Sequence, residues 1–320
     1  MAVSRFGRAF ILGGNGFVGK ALLRYLRTMD VPVRALARNP PADEAGVEWV
    51  RGDLLDPGFD LSEHILDCSV LFNCVGELCD ESRMYELHVD ATARSLSMCN
   101  KGRHRSLLHW VQLSSVGAYG PPRKASEIRE VSEDTGLAPR GVYEVTKARA
   151  DELVVAAGKR GDITYSILRP SIVFGSGMRS KSLRQLVASI RDRRFIYIGG
   201  SDAIAPYIHV DDVARALFLC GYRDEAKDQV FNISNDVLLS AFVVVVADHF
   251  SVSHPLLRVP EFAARVGCAL LSPLPGFPLT QGRVNALVAR TKYPSGKLRE
   301  LLGFEPEKSL LSDFSEIFNV

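Results

Sequence analysis

Apolar positions along this chain switch period repeatedly. Residues 9–12 form a short apolar run that reads as a buried strand. It stops at glycines. Phe17, Val18, Ala21, Leu22 and Leu26 then recur at helical spacing. Residues 31–38, 47–50, 70–76 and 107–113 read as further strands. Residues 85–99 and a segment starting near Tyr143 read as helices. Short strands alternating with helices predict right-handed βαβ units and a doubly wound parallel sheet, an α/β fold.

Composition narrows the class. With 320 residues and 47% hydrophobic content, the chain can bury one large domain with an appended lobe. A net charge of +2 gives no electrostatic case for nucleic acid or an anionic membrane. No apolar run reaches membrane-spanning length; the longest is 241–247. The stretch 262–279 is apolar and broken by three prolines; it could cap a pocket or touch a membrane surface, and a buried lid is the expectation. The six cysteines show neither a CxxC pair nor zinc spacing. They are expected as reduced core thiols of a cytoplasmic protein, since the start of the chain lacks a signal-peptide pattern.

The glycines carry the first chemistry. Gly13, Gly16 and Gly19 stand three apart where the first strand meets the first helix. They suit a tight turn, room for a phosphate, and close helix–sheet contact, respectively. A helix N-terminus there offers free N–H groups to a pyrophosphate. The second strand would place an acidic residue on the ribose of NAD. Here Ala37 and Arg38 follow instead, so NADP is favoured over NAD. Arg34 is either an aid to Arg38 or a solvated residue. Asp53, at the end of the third strand, either accepts from adenine or serves a turn or helix cap.

Ser115 ends the fifth strand, and Tyr143 precedes Lys147 by one helical turn. A phenol titrates near ~10 and is a weak acid–base group at neutral pH. A neighbouring ammonium is expected to lower that value, letting Tyr143 exchange a proton with a carbonyl or hydroxyl oxygen. Ser115 would hydrogen-bond the same oxygen.

The ordered set resembles the extended short-chain dehydrogenase/reductase family, in its NAD-dependent epimerase/dehydratase and 3β-hydroxysteroid dehydrogenase-like group. The matching motifs are the glycine turn 13–19, residues 53–56, 114–120, Tyr143 with Lys147, 168–175, 207–214 and 297–306. The resemblance implies a Rossmann-type sheet with a smaller, mainly helical C-terminal substrate lobe. Residues 1–175 and 203–235 would form the dinucleotide-binding domain, and 176–202 with 236–320 the lobe. It implies Tyr143, Lys147 and Ser115 as catalytic residues. Cofactor contacts would come from Gly13, Asn15, Gly16, Phe17, Val18, Gly19, Arg38, Asp53, Leu54, Val75, Gly76, Tyr143, Lys147, Pro170 and Val173. It also implies a homodimer through segments 85–99 and 143–157.

Departures bear on the substrate. His88 stands where family members carry asparagine, and is expected as a satisfied helix histidine. Ile172 and Ala205 replace an asparagine and an arginine that hold a diphosphate in sugar-nucleotide epimerases. Arg179, Arg184, Arg193, Arg194 or Arg283 could compensate. The whole-chain pattern implies a sugar nucleotide first; these losses and the apolar C-terminal lobe put an apolar hydroxysteroid-type substrate close behind, with a non-catalytic NADP-sensing module as the third reading. Asp211 and Asp212 are expected to cap a helix, with His209 structural and no metal bound.

Overall fold

The computed structural model describes residues 5–41, 46–99, 108–178, 181–271 and 279–318. Arg179, and residues 272–278 of the expected lid, lie outside these ranges; the described part of that stretch, helix Glu261–Leu271, leaves Phe262, Val266 and Leu270 exposed and so is not the buried lid expected. Seven parallel strands form the central sheet: β1 (Arg8–Leu12), β2 (Val33–Ala37), β3 (Val47–Arg51), β4 (Cys68–Asn73), β5 (His109–Leu113), β6 (Thr164–Pro170) and β7 (Gln229–Ile233). Their order is β7-β6-β5-β4-β1-β2-β3. Every pairing is parallel, with Ile11 opposite Ala35 on one side and Phe72 on the other. The order reverses between β1 and β4, the switch point at whose strand carboxyl ends sheets of this kind bind ligands.

Burial on both faces explains the unbroken apolar runs. Every residue of β5 is buried. On one face, α1 (Phe17–Thr28) buries Leu22, Leu23 and Leu26 in a cluster with Val213, Leu217 and Phe231. On the other, Trp110 packs with Leu96, Val154 and Ala157. A third cluster joins helices Lys181–Arg191 and Leu239–His249 through Leu183, Val187, Phe242 and Val246. Helix Gly296–Leu302 runs back to the first face, where Leu298, Leu302 and Phe304 are buried. Four of the six cysteines, Cys68, Cys99, Cys220 and Cys268, are buried.

The single helix expected over 85–99 is a composite. An α-helical turn, Glu81–Tyr85, passes into a π-helical turn, Glu86–Asp90, and then into helix Ala91–Met98. Apolar spacing cannot separate a π-turn from an α-turn, since the two differ by one residue over a single turn.

Candidate active site

The glycine turn fits a dinucleotide phosphate. Gly13 holds φ +78°, a left-handed conformation that glycine adopts freely. A Cβ on Gly19 would lie 2.2 Å from the Gly13 carbonyl oxygen, so the helix reaches this close only without a side chain. Gly16 is the N-cap of α1 and offers no side-chain cap. The first turn carries no acidic residue, which leaves its N–H groups open to an anion. Phe17 and Val18 are half-buried beside this opening. Asn15 braces the turn from outside, donating to the Asn39 carbonyl at 2.9 Å.

Arg38 is exposed at the end of β2, and no ion-pair partner holds it among the described residues. Arg34 is committed elsewhere: it pairs with Glu48 at 2.8 Å and Asp67 at 2.7 Å. It is neither solvated nor available to a 2′-phosphate. Asp53 accepts from the Leu55 amide at 3.0 Å, closing a turn with one carboxylate oxygen. Leu54 is buried beside it.

Ser115 stands two residues past the end of β5 and caps the turn Val116–Tyr119, its Oγ accepting from the Gly117 amide at 3.1 Å. Its side chain also faces the half-buried Tyr143 phenol closely enough to lower that group's pKa. Tyr143 and Lys147 share one stripe of α2 (Val142–Lys159). The Lys147 amine is buried and donates to the carbonyls of Leu113 at 3.0 Å and Val75 at 3.3 Å. A Cβ on Gly76 would stand 3.6 Å from that amine. The strand ends of β4 and β5 thus converge on α2. Pro170 and Val173 follow on β6 and the short strand Ile172–Phe174.

The electrostatics correct one expectation. Burial pushes the Tyr143 phenol above its ordinary value, the Ser115 side chain pulls it back, and Asp151 pushes it up again. Lys147 does not depress it. The amine itself is pushed down to about 8 by burial, against the pull of Asp151 and Cys74. Two of its three donors go to backbone carbonyls.

Sequence reasoning missed Asp151, which lies one turn beyond Lys147 on the same stripe. It is buried, and its Oδ2 accepts from Ser114 at 2.8 Å and from Arg169 at 3.0 Å. Arg169 lies over the Tyr119 ring at 4.8 Å, and Tyr119 donates to Asn232 at 2.8 Å. The Tyr143–Lys147–Asp151 spacing was the available signal.

His88 is a satisfied histidine. Its Nε2 accepts from the Glu77 amide at 2.8 Å, and its Nδ1 stands 2.8 Å from Thr146 Oγ1. Burial first, then Lys147, push it down to about 3, while Glu77 pulls the other way.

At the other end of the substrate side, His209 rather than an aspartate caps helix Val210–Tyr222, accepting from the Asp211 amide at 3.1 Å. Asp212 instead accepts from the amides of Glu307 and Lys308, both at 3.0 Å. His209, Asp211 and Glu316 have the geometry of a metal cluster. The Lys308 ammonium already stands among them, 3.2 Å from Asp211 and 2.8 Å from Glu316. Of the arginines that could compensate for Ile172 and Ala205, Arg283 donates to Gln185 and Arg194 faces Asp192 at 3.9 Å.

Residues 9–234 match the NAD dependent epimerase/dehydratase family. The chain belongs to that family. A 4-hydroxy-2-methyl-3-oxo-4-farnesyl-3,4-dihydroquinoline-1-oxide ketoreductase of Stigmatella aurantiaca is 28% identical, covering 88% of this chain and 84% of its own. A decarboxylating sterol-4-alpha-carboxylate 3-dehydrogenase of Candida albicans is 25% identical, covering 94% and 93%. Among solved structures, MoeE5 in complex with UDP-glucuronic acid and NAD superposes with a TM-score of 0.73 at 23% identity, covering 97% of each chain. That likeness shows the fold, the Rossmann-like sheet expected from the sequence. No described helix is long and apolar enough to cross a membrane.

Proposed function

We propose that the protein is an NAD(P)-dependent oxidoreductase acting on a secondary alcohol or ketone of an apolar substrate. The observation that carries this is the convergence of Ser115, the Tyr143 phenol and the buried Lys147 amine at the strand ends that also hold the uncapped glycine turn. A bound nicotinamide dinucleotide would supply or accept the hydride. Tyr143 gives or takes the proton at the substrate oxygen. Ser115 turns its hydroxyl to that oxygen and fixes its position. Lys147 holds positive charge behind the phenol and ties the ends of β4 and β5 to the helix. Gly13, Gly16 and Gly19 with the first turn of α1 would seat the pyrophosphate. The guanidinium of Arg38, exposed and without an ion-pair partner among the described residues, supports NADP over NAD.

The sequence put sugar nucleotides first, and the family includes enzymes acting on them. Two observations favour the apolar reading. Ile172, 45% exposed, presents a hydrocarbon side chain two residues past Pro170. The Stigmatella and Candida relatives are by name a ketoreductase of a farnesylated ring and a sterol dehydrogenase.

The test is reduction of a panel of ketones, steroidal, prenylated and nucleotide-linked, with NADPH and then NADH. Turnover is expected with the apolar ketones. Tyr143→Phe should lower kcat by about 10²-fold or more while NADPH still binds. Arg38→Ala should shrink the NADPH-over-NADH affinity ratio by about tenfold. Normal turnover by Tyr143→Phe removes the catalytic assignment. Turnover of nucleotide sugars alone removes the apolar substrate, and cofactor binding without any turnover leaves the sensing module. The family's homodimer belongs to the same proposal, and light scattering on that sample should give twice 35.2 kDa.

A further inference from the structure

His88 departs from the family pattern, and its surroundings give it a task. It lies in the π-helical turn Glu86–Asp90, buried between the end of β4 and α2. Its ring meets the Tyr143 ring edge-on, with centroids 5.7 Å apart. The tautomer follows from the partners. The Glu77 amide can only donate, so Nε2 must carry the lone pair. The proton is therefore on Nδ1 and is donated to Thr146 Oγ1. Thr146 passes its own hydroxyl hydrogen to the Tyr143 carbonyl at 3.0 Å. Three bonds run in one direction, from the Glu77 amide through His88 and Thr146 to the backbone of Tyr143.

We infer that His88 is a positioning residue for Tyr143, a clamp that ties the loop after β4 to the catalytic helix, and not a proton relay. The inference rests on the function proposed above. Both ring nitrogens are engaged, so a proton crosses the ring only if one of these bonds breaks. The loop end of the clamp is itself built. Glu77 Oε1 accepts from the amides of Leu78 at 2.9 Å and Cys79 at 2.8 Å, which orders the turn that His88 grips. Gly76, one residue earlier, faces the Lys147 amine. The clamp thus sets the distance between the wall carrying Val75 and Gly76 and the helix carrying Tyr143. The π-turn inserts one extra residue into the helix and rotates His88 toward α2; such turns recur at functional sites. The charged and titratable groups facing the ring are Lys147, Glu77 and Tyr143.

The test separates the two halves of the clamp. His88→Asn keeps a donor near the Nδ1 position and loses the Glu77 bond. His88→Gln keeps an acceptor near the Nε2 position and loses the Thr146 bond. His88→Ala loses both. A displaced catalytic group costs rate steeply. His88→Ala should therefore lower kcat by about tenfold to hundredfold, with NADPH affinity and the shape of the pH profile unchanged. The asparagine and glutamine variants should fall between it and the wild type. Thr146→Val, which cuts the middle link, should match the loss. Unchanged kcat in His88→Ala overturns the clamp. So does a pH-profile limb that vanishes in the His88 variants, since that limb would report a relay. A second readout does not need turnover. Nitrogen-15 NMR of the wild type should show His88 neutral and protonated on Nδ1 throughout the neutral range. A titrating ring or the other tautomer overturns the clamp even if no ketone is ever reduced. A wild type that reduces nothing but keeps this tautomer counts against the proposed function alone.

Discussion

Lys147 stands behind Tyr143 almost without water, and its charge weighs on the fold. Unfolded, a lysine titrates near ~10.4. Folded, burial brings this one down to about 8. The folded pKa is depressed for a group that is cationic when protonated. Below about 8 both states are protonated, and the buried charge costs stability in full, about 3 kcal/mol. Between about 8 and ~10.4 the unfolded chain binds the extra proton, so stability rises with pH. Urea unfolding of the unliganded protein should show a gain of about 2 kcal/mol from pH 7.5 to 9.5 relative to Lys147→Met. The window ends there because the raised Tyr143 phenol works in the opposite sense above its ordinary value. If wild type and variant gain equally, the amine is not desolvated as the geometry indicates. At this scale the sequence was a partial guide. The types Ser115, Tyr143 and Lys147 and their order were legible, since spacing along a helix and position at a strand end are local facts. The roles of Arg34, His88 and His209 were not. Each is decided by groups far along the chain: Glu48 and Asp67, the Glu77 amide and Thr146, and Glu316.

The strand–glycine–helix unit shows what an element requires of one residue. Gly19 is buried, and any Cβ there meets backbone, 2.2 Å from the Gly13 oxygen and 3.0 Å from the Gly14 Cα. Neither atom can rotate away as a side chain would. Gly19→Ala must push α1 off the sheet or reshape the turn. Overpacking of this kind costs about 1–3 kcal/mol, and the displaced N–H groups should also weaken dinucleotide binding. Denaturant unfolding and NADPH titration read the two effects. Gly136→Ala is the control: a Cβ there meets nothing within 4 Å, so neither quantity should change. Loss of stability without loss of binding would mean that the turn adjusts and the phosphate is held elsewhere. Elements were otherwise well legible. β1 to β5 and α1 fall within a few residues of their apolar periods, because a doubly covered parallel strand must be apolar throughout. The π-turn around His88 escaped that logic, since its cause is tertiary: the ring has to reach both Glu77 and Thr146.

Across the whole molecule, the C-terminal segment is strapped to the N-terminal end of helix Val210–Tyr222. Asp212 is buried and takes the Glu307 and Lys308 amides on separate oxygens, with Arg215 at 3.2 Å. Arg215 in turn lies over the Phe304 ring at 4.8 Å. Phe304 is buried with Leu298 and Leu302 against the face that also holds α1, so the strap closes one side of the central sheet. The family resemblance put 297–306 in the lobe, and nothing local tells a terminal helix which core it will join. The contact with Asp212 runs over more than ninety residues and is invisible to any spacing argument. Asp212→Ala leaves two backbone N–H groups without their acceptor and Arg215 without one of its partners. An uncompensated buried group of this kind costs about 1–3 kcal/mol, and more when charge is involved. The expected loss is about 3 kcal/mol of unfolding free energy, while Asp212→Asn, which keeps one acceptor oxygen, should lose less. Limited proteolysis should then cut the alanine variant near residue 307 under conditions that spare the wild type, because the segment detaches before the sheet opens. Equal loss in both variants would mean that the charge on Asp212, rather than its amide bonds, holds the strap. No loss in either would make Phe304 and its neighbours sufficient by themselves.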